Sequence, residues 1–334
     1  MNIGDLSITN FYVGDIQADK ICLGAEQVWP NTPPGPDYAS MYLTLEITKS
    51  GYVCIANSGV TYSVNDGPWT QVPSTTSSEQ NMEYALAAYQ GDVIRFKGIQ
   101  ATQNAFSSYK ANSGHTGQNQ AAYNVYGNIL SLDYGDDFIG KTGFTTNYRP
   151  CYNTFRLYDP TQTHNSGVIS AENLILPPTV VEGCYRSMFC CNGSLVKAPA
   201  LPATTLATGC YFNMFGFCTS LTEAPELPAT TLANECYTEM FQSCRNLTSA
   251  PELPALTLVS SCYTKMFYCC YSLNYIKCLA TNPSSQTGSA NPYTSRWVEN
   301  AGDGTGTFVK HPNATWPSGD SGKPHGWTVQ DAVL

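Results

Sequence analysis

Leu201-Pro-Ala-Thr-Thr-Leu-Ala-Thr-Gly-Cys210-Tyr-Phe-Asn-Met-Phe215-Gly-Phe-Cys218-Thr-Ser-Leu221-Thr-Glu-Ala-Pro225-Glu226 is a single unit of a repeat, and the next unit opens at once with Leu227-Pro-Ala-Thr-Thr-Leu-Ala. Cys-Tyr-x-x-Met-Phe begins at Cys184, Cys210, Cys236 and Cys262, 26 residues apart each time, and a leucine closes each copy at Leu195, Leu221, Leu247 and Leu273. Self-similarity at such a period marks units that cannot bury an apolar face alone and must stack on one another.

Within a copy, Leu232, Cys236, Met240 and Cys244 recur at steps of four, with Phe241 beside Met240, which predicts one face of a short helix with Asn234 as its cap. The stretch Leu247-Thr-Ser-Ala-Pro-Glu-Leu-Pro254 is too rich in proline for a helix and reads as a very short strand. Proline donates nothing to a ladder, so Pro199, Pro225 and Pro251 mark where each strand leaves its sheet. With strands about 4.8 Å apart, four or five units give a stack roughly 20 to 25 Å long, with caps at both ends.

The string Leu-Pro-Ala-Thr-Thr-Leu-Ala-x-x-Cys-Tyr-x-x-Met-Phe-x-x-Cys-x-Ser-Leu-Thr-x-Ala-Pro-Glu, clearest from Leu201 to Glu252, resembles the BspA-like leucine-rich repeats of gut bacteria and their phages. Upstream, Asn124 to Leu132 and Ser170 to Pro177 resemble the family's way into the solenoid; downstream, Gly306 to Lys310 and Gly326 to Val329 resemble its closing segment. The first copy departs from the pattern with Cys190-Cys191, and the region from Phe155 to Ile169 is degenerate. The expected fold class is mixed β and α/β. It comprises a small N-terminal β anchor, an immunoglobulin-like β-sandwich, and a short BspA-like leucine-rich-repeat solenoid with a C-terminal cap.

The 334 residues divide accordingly into a hairpin segment 1–29, a proline-rich linker 30–39, a sandwich 40–123, a solenoid with its opening cap 124–278 and a capping segment 279–334. Charged residues make up only 12% of the chain and the net charge is -9, without a Lys/Arg cluster, which argues against nucleic acid as a partner. Of fourteen cysteines, eleven lie between Cys184 and Cys278 and most follow the repeat, which favours a reduced, buried ladder over a disulfide framework. With no Cys-x-x-Cys pair and all four histidines outside the repeats, neither a metal nor any other cofactor is expected. No basic segment precedes an apolar core near residue 1, and no stretch is apolar enough to span a membrane, so neither export nor membrane insertion is expected.

Near the start, Phe11-Tyr-Val-Gly-Asp15 is echoed ten residues on by Ile21-Cys-Leu-Gly-Ala25, with Val28-Trp29 as a third short strand. So small a segment has no core of its own and suits folding onto a partner. It resembles N-terminal segments of phage structural proteins, which would make Phe11, Tyr12, Val13, Ile21, Leu23, Val28 and Trp29 a virion anchor. Four prolines between Pro30 and Pro36 then favour an extended spacer. From Met41 the period changes to two. Residues 42–48, 52–55, 61–64 and 92–97 read as strands, Asn65-Asp66-Gly67 as a hairpin turn, and residues 100–123 as an exposed loop too polar to pack.

Motifs for catalysis are weak. Gly319-Asp-Ser-Gly322 matches the serine string of chymotrypsin-like proteases, yet His115 and His164 lack a fitting context. Ser107-x-x-Lys110 lacks its companion elements, Gly302 to Gly306 has no helix behind it, and Asp133, Asp136 and Asp137 lack the spacing of a calcium loop. The tyrosine after each first cysteine, Tyr185, Tyr211, Tyr237 and Tyr263, sits at the margin of the buried face. Either the four form a ridge that packs sugar rings, or they seal the seam between units.

Together these features point to a non-enzymatic phage virion protein, a homo-oligomeric head or tail fibre or capsid decoration. Its N-terminal segment would contact other virion proteins, and its body, on the virion surface, would attach to host carbohydrate or protein. A BspA-like bacterial surface adhesin is the alternative, and a glycan hydrolase is a third reading with no carboxylate pair behind it.

Overall fold

The computed structural model describes residues 36–56, 59–73, 84–100, 102–106, 120–157, 167–283 and 293–333, with six short strands before residue 30. Two compact units are present, 1–37 and 38–334. In the first, β1 (Asn2–Ile3) pairs with β2 (Leu6–Ser7), β3 (Tyr12–Val13) with β4 (Ile16–Gln17), and β5 (Ile21–Leu23) with β6 (Glu26–Trp29), all antiparallel. Each pair is separated in sequence by two residues opening with glycine, at Gly4, Gly14 and Gly24, so the ten-residue echo has three members.

The second unit opens with a two-sheet region. Its strands are β7 (Leu43–Lys49), β8 (Gly51–Ile55), β9 (Val60–Val64), β10 (Thr70–Gln71), β11 (Tyr84–Ala88), β12 (Val93–Gly98) and β13 (Ala122–Asn128). β14 (Gly167–Ser170) and β15 (Leu174–Ile175) add to β13, giving a seven-stranded sheet in the order β10-β9-β12-β7-β13-β14 with β15 also on β13. β8 and β11 form the second sheet, and Val53, Ile55 and Leu86 share one core with Leu43, Leu45, Ile94 and Phe96. The strict alternation of buried and half-buried residues along β12 shows why period two was legible here.

An immunoglobulin-like sandwich has two antiparallel sheets of several strands each. This one departs from that plan, because β13 is antiparallel to β7 yet parallel to β14 and β15, so the large sheet continues into the repeats. A boundary at residue 123 therefore falls inside a strand that serves both regions. Gly127 (φ 84°) makes this joint possible: a Cβ there would lie 2.1 Å from the Tyr42 carbonyl oxygen.

The repeats are not helical, and the expected α/β leucine-rich-repeat solenoid is not what they form. Among the described residues the one α-helix is α1 (Ser131–Tyr134), outside the repeats. Residues 183–192, 209–218, 235–244 and 261–270 are runs of consecutive turns. Alternate amides bond three residues back, as Met214 to Tyr211 and Cys218 to Phe215. The amides between them bond to the next copy, as Tyr211 to Cys236, Asn213 to Thr238 and Phe215 to Met240. Every fourth residue is left-handed: Gly183, Ser187, Cys191; Gly209, Asn213, Phe217; Glu235, Glu239, Ser243; Ser261, Lys265, Cys269.

A coil of period four keeps i, i+4 and i+8 in line, whereas an α-helix turns about 100° per residue and carries i+8 about 80° out of line. The pattern Cys-Tyr-x-x-Met-Phe-x-x-Cys fits the former: Cys210, Tyr211, Met214, Phe215 and Cys218 are all at most 1% exposed. Residues 149–157 and 293–301 supply further turn layers before and after, with left-handed Arg149, Asn153, Arg296 and Asn300. Isolated parallel bridges pair Ser170 with Lys197, Glu223 with Ser249, and Ser249 with Tyr275, so each of the four copies bridges two residues before its proline or, in the last copy, the equivalent Lys277. β16 (Tyr275–Cys278), β17 (Thr307–Lys310) and β18 (Thr328–Asp331) finish this side as a parallel sheet.

Two columns of rings run through the layers. One is Phe106, Phe155, Phe189, Phe215, Phe241 and Phe267, with centroids 5.3 to 5.8 Å apart and planes within 10°. The other is Tyr185, Tyr211, Tyr237 and Tyr263, 5.6 to 6.2 Å apart. Trp297 lies against the last ring of each column and ends both. Phe106 corrects the reading of residues 100–123 as an exposed loop: Thr102, Ala105 and Phe106 are at most 2% exposed, and the Phe106 ring ties the sheet core at Phe96 to the first layer at Phe155.

The second cysteine of the pattern, eight residues after the first, carries a polar duty as well. Cys218, Cys244 and Cys270 each direct Sγ to the carbonyl oxygen of the phenylalanine one layer back, at 3.2, 3.1 and 3.0 Å. In the first copy Asn192 takes that place, donating from Nδ2 to the Phe155 carbonyl at 2.6 Å and accepting from the Val168 amide at 3.1 Å. The departure at Cys190-Cys191 is thus a fitting to the preceding β14.

Candidate functional site

The four repeat tyrosines do not form an exposed ridge. Tyr185, Tyr211, Tyr237 and Tyr263 are 0 to 1% exposed, ring stacked on ring, and burial pushes their phenols well above the usual range. Two consecutive residues of every four point inward in the turn coil, so the residue after the cysteine joins the core instead of its margin. Two outward aromatics of the stack lie against arginines of neighbouring layers, with the Arg186 guanidinium 3.7 Å from the Phe212 ring centroid and that of Arg296 5.0 Å from Tyr268, while Tyr271 is 48% exposed. Of the anchor residues, Tyr12, Val13, Ile21, Leu23, Val28 and Trp29 lie in hairpin strands, and Phe11 lies outside the described residues.

Other motifs resolve into structural parts. The Ser321 hydroxyl accepts from the Arg296 amide at 3.0 Å and the Gly322 carbonyl accepts from Trp297 Nε1 at 2.6 Å, so the Gly-Asp-Ser-Gly turn holds the capping tryptophan. Asp133 is buried and accepts from the Thr145 amide and hydroxyl at 2.7 and 2.8 Å, apart from the tasks of Asp136. Among the described residues no group of three His, Cys, Asp or Glu side chains is placed to hold a metal, and none of the thirteen cysteines described there is in a disulfide. No described helix is long and apolar enough to cross a membrane. Ser107, Lys110, His115 and His164 lie outside the described residues.

Two surface features have the shape of binding sites. A shallow groove of about 470 Å³ runs between two layers along Pro199, Leu201, Pro202, Pro225 and Pro228, with Glu172 and Glu226 on its rim. Its lining is otherwise proline, alanine and leucine, and proline offers no amide donor.

The second feature lies on the outer face of the seven-stranded sheet. Asn65-Asp66-Gly67 makes the expected tight turn, with both Asn65 and Asp66 left-handed, and Trp69 follows it at the head of β10. The turn is fixed from both sides: Asn65 exchanges side-chain bonds with Val93 and Asp92 at 2.9 Å each, the Ser63 hydroxyl donates to the Gly67 carbonyl at 2.7 Å, and Arg95 pairs with Asp66.

Trp69, thereby held, meets Tyr42 edge to face at 5.1 Å, and the Lys97 ammonium sits 4.4 Å from the Trp69 ring centroid. Asp136, just after α1, accepts from the Tyr42 hydroxyl at 2.6 Å and from Lys97 Nζ at 2.8 and 2.9 Å. The Lys97 and Tyr42 bonds hold the Asp136 carboxyl below its usual range, and the bond to Asp136, with burial, pushes the Tyr42 phenol up to about 12. Trp69 remains 37% exposed and the Asp136 side chain 64%.

This cluster went unread in the sequence because its four members are 42, 69, 97 and 136, on four separate segments. The available signal was a tryptophan directly after a tight turn in a polar stretch. No family model, curated protein or solved structure matches the chain.

Proposed function

We propose that this chain is a non-enzymatic structural protein of a phage particle, a fibre or decoration subunit that attaches to the host surface. Residues 1–29 engage other particle proteins and residues 38–333 are the presented body. The observation that carries this reading is the tandem of three hairpins on a ten-residue step. Two-stranded hairpins are marginal alone in water, so a chain that repeats them three times gains most from a partner that covers them. The resemblance of this segment to N-terminal parts of phage structural proteins gives that partner its class.

The body suits presentation. Its ring columns and inter-layer hydrogen bonds make a rigid support, and its aromatic cluster lies on the sheet's outer face. Several copies per particle would convert weak contacts into firm attachment, so a homo-oligomer is part of the proposal.

Mass spectrometry and antibody-gold labelling of purified particles test it. Peptides of this chain in the particles, with gold on head or tail, support the proposal. Particles free of the chain, with the protein found on bacterial cells, overturn it in favour of an adhesin.

A further inference from the structure

We infer that the Trp69–Tyr42–Lys97–Asp136 cluster is a binding site for an uncharged hexose ring of a surface glycan. The inference gives the attachment reading a ligand class and rests on it for its biological setting; the binding chemistry itself is argued from the cluster.

A sugar ring presents an apolar face of C–H groups and a rim of hydroxyls, so its receptor needs a flat aromatic surface beside fixed hydrogen-bonding groups. Trp69 provides the flat surface. The ammonium of Lys97 lies over its ring and Tyr42 meets it edge to face, yet the residue keeps 37% of its surface open. Trp297, Trp316 and Trp327, by contrast, are at most 5% exposed. The Asn65–Gly67 turn, the lysine and Tyr42 fix its position.

Asp136 provides the polar partner. A carboxylate has about four acceptor positions, and three bonds from Tyr42 and Lys97 reach it. One position is left for a hydroxyl donor from solvent or ligand, on a side chain 64% exposed. Tyr42 and Lys97 lock its orientation, so little side-chain freedom is lost when a hydroxyl binds.

Charge decides the kind of sugar. Lys97 is already matched by Asp136, and the chain carries a net charge of -9. A carboxylate-bearing sugar would meet an exposed carboxylate without a free cation in the cluster to offset it, whereas an uncharged hexose donates a hydroxyl to it. The same register continues the face: Tyr42 lies two residues before Thr44, which opposes both Arg95 of β12 and Tyr126 of β13, and Tyr38 meets the Tyr126 ring at 5.6 Å. A chain of sugars therefore has further aromatic surface along the sheet.

The test uses the purified full chain with maltotriose, cellotriose and lactose as uncharged probes and sialyllactose as the acidic one, read by saturation-transfer NMR and titration calorimetry. At least one uncharged probe is expected to bind. Trp69→Ala and Asp136→Asn are each expected to weaken it about tenfold or more, and Trp69→Phe to retain part of it. Thermal melting checks that the variants fold; both sites are exposed, so the variants are expected to melt within a few degrees of the parent.

Absence of binding by every uncharged probe at tens of millimolar overturns the inference, as does binding that neither Trp69→Ala nor Asp136→Asn alters. Equal or tighter binding of sialyllactose through the same residues overturns the uncharged class. The particle reading fails separately: sugar binding that depends on Trp69, in a chain missing from particles, leaves this site intact and removes its setting.

Discussion

The two-sheet region and the turn stack share one core, but they spend their residues differently. In the sheets, period two sends every second side chain outward, so β12 offers Arg95 and Lys97 on a face that can hold a ligand. In the stack, two residues of each four go inward, and even the tyrosines are consumed in packing. The sheet region is thus where chemistry is displayed, and the stack is the support that extends it. A repeat that is conspicuous in sequence can be the less informative part about binding.

The largest effect is expected where the two regions join. Phe155→Ala removes the ring that links Phe106 to Phe189, and large-to-small changes of this kind cost about 3–5 kcal/mol. Because the core is continuous, denaturant unfolding followed by tryptophan fluorescence and by far-ultraviolet dichroism should move together in one transition. Two separated transitions would show that sheets and stack are independent.

Thiol chemistry sharpens the contrast next. Cys210, Cys218, Cys236, Cys244, Cys262 and Cys270 are buried, and desolvation pushes their thiols up, so in the native chain iodoacetamide is expected to leave them unlabelled over hours. Cys191 and Cys269, half-buried on the outside of the stack, are expected to react first. Peptide mass spectrometry reads the order, and equal labelling of both sets would contradict the packed layers.

A smaller effect is expected at the aromatic cluster. The Asp136 carboxyl is held below its unfolded value of about 3.9, so its pairing with Lys97 and Tyr42 is complete above that pH and is lost as pH falls through the depressed folded value. Tyr42 has the opposite sign: raised to about 12, its contribution is complete below the unfolded value of about 10 and is lost as pH rises through the folded one. Exposure of Asp136 keeps the effect on stability small. The readout is Trp69 emission, which should change in the acid limb in the parent chain and not in Asp136→Asn.

Much of the sheet region was legible. Expected strands at 42–48, 52–55, 61–64 and 92–97 compare with observed 43–49, 51–55, 60–64 and 93–98, and the Asn-Asp-Gly turn sits where its residue types demand left-handed backbone. The stacking period of 26 and the inward cysteines, methionines and phenylalanines were legible as well. The secondary structure inside each layer was not, because i, i+4 and i+8 serve both a helix and a period-four coil. Of the left-handed positions in the four copies, only Gly183, Gly209 and Asn213 carry residue types that advertise that conformation. Serine, glutamate, lysine, cysteine and phenylalanine hold it elsewhere, compelled by the inter-layer bonds. The aromatic cluster was hidden for a simpler reason: strand register, and not local sequence, brings residues 42, 69, 97 and 136 together.

The most direct test of the turn-built stack is a pair of substitutions at Ser187, which lies mid-layer with φ 54° and is 4% exposed. Ser187→Ala and Ser187→Gly remove the same hydroxyl and differ only in a Cβ. In a left-handed position glycine is favoured over alanine by about 1–2 kcal/mol, so the glycine variant should unfold at the higher denaturant concentration. In a helix the order is reversed by about 1 kcal/mol, and an alanine variant more stable than the glycine one would contradict the layer as described.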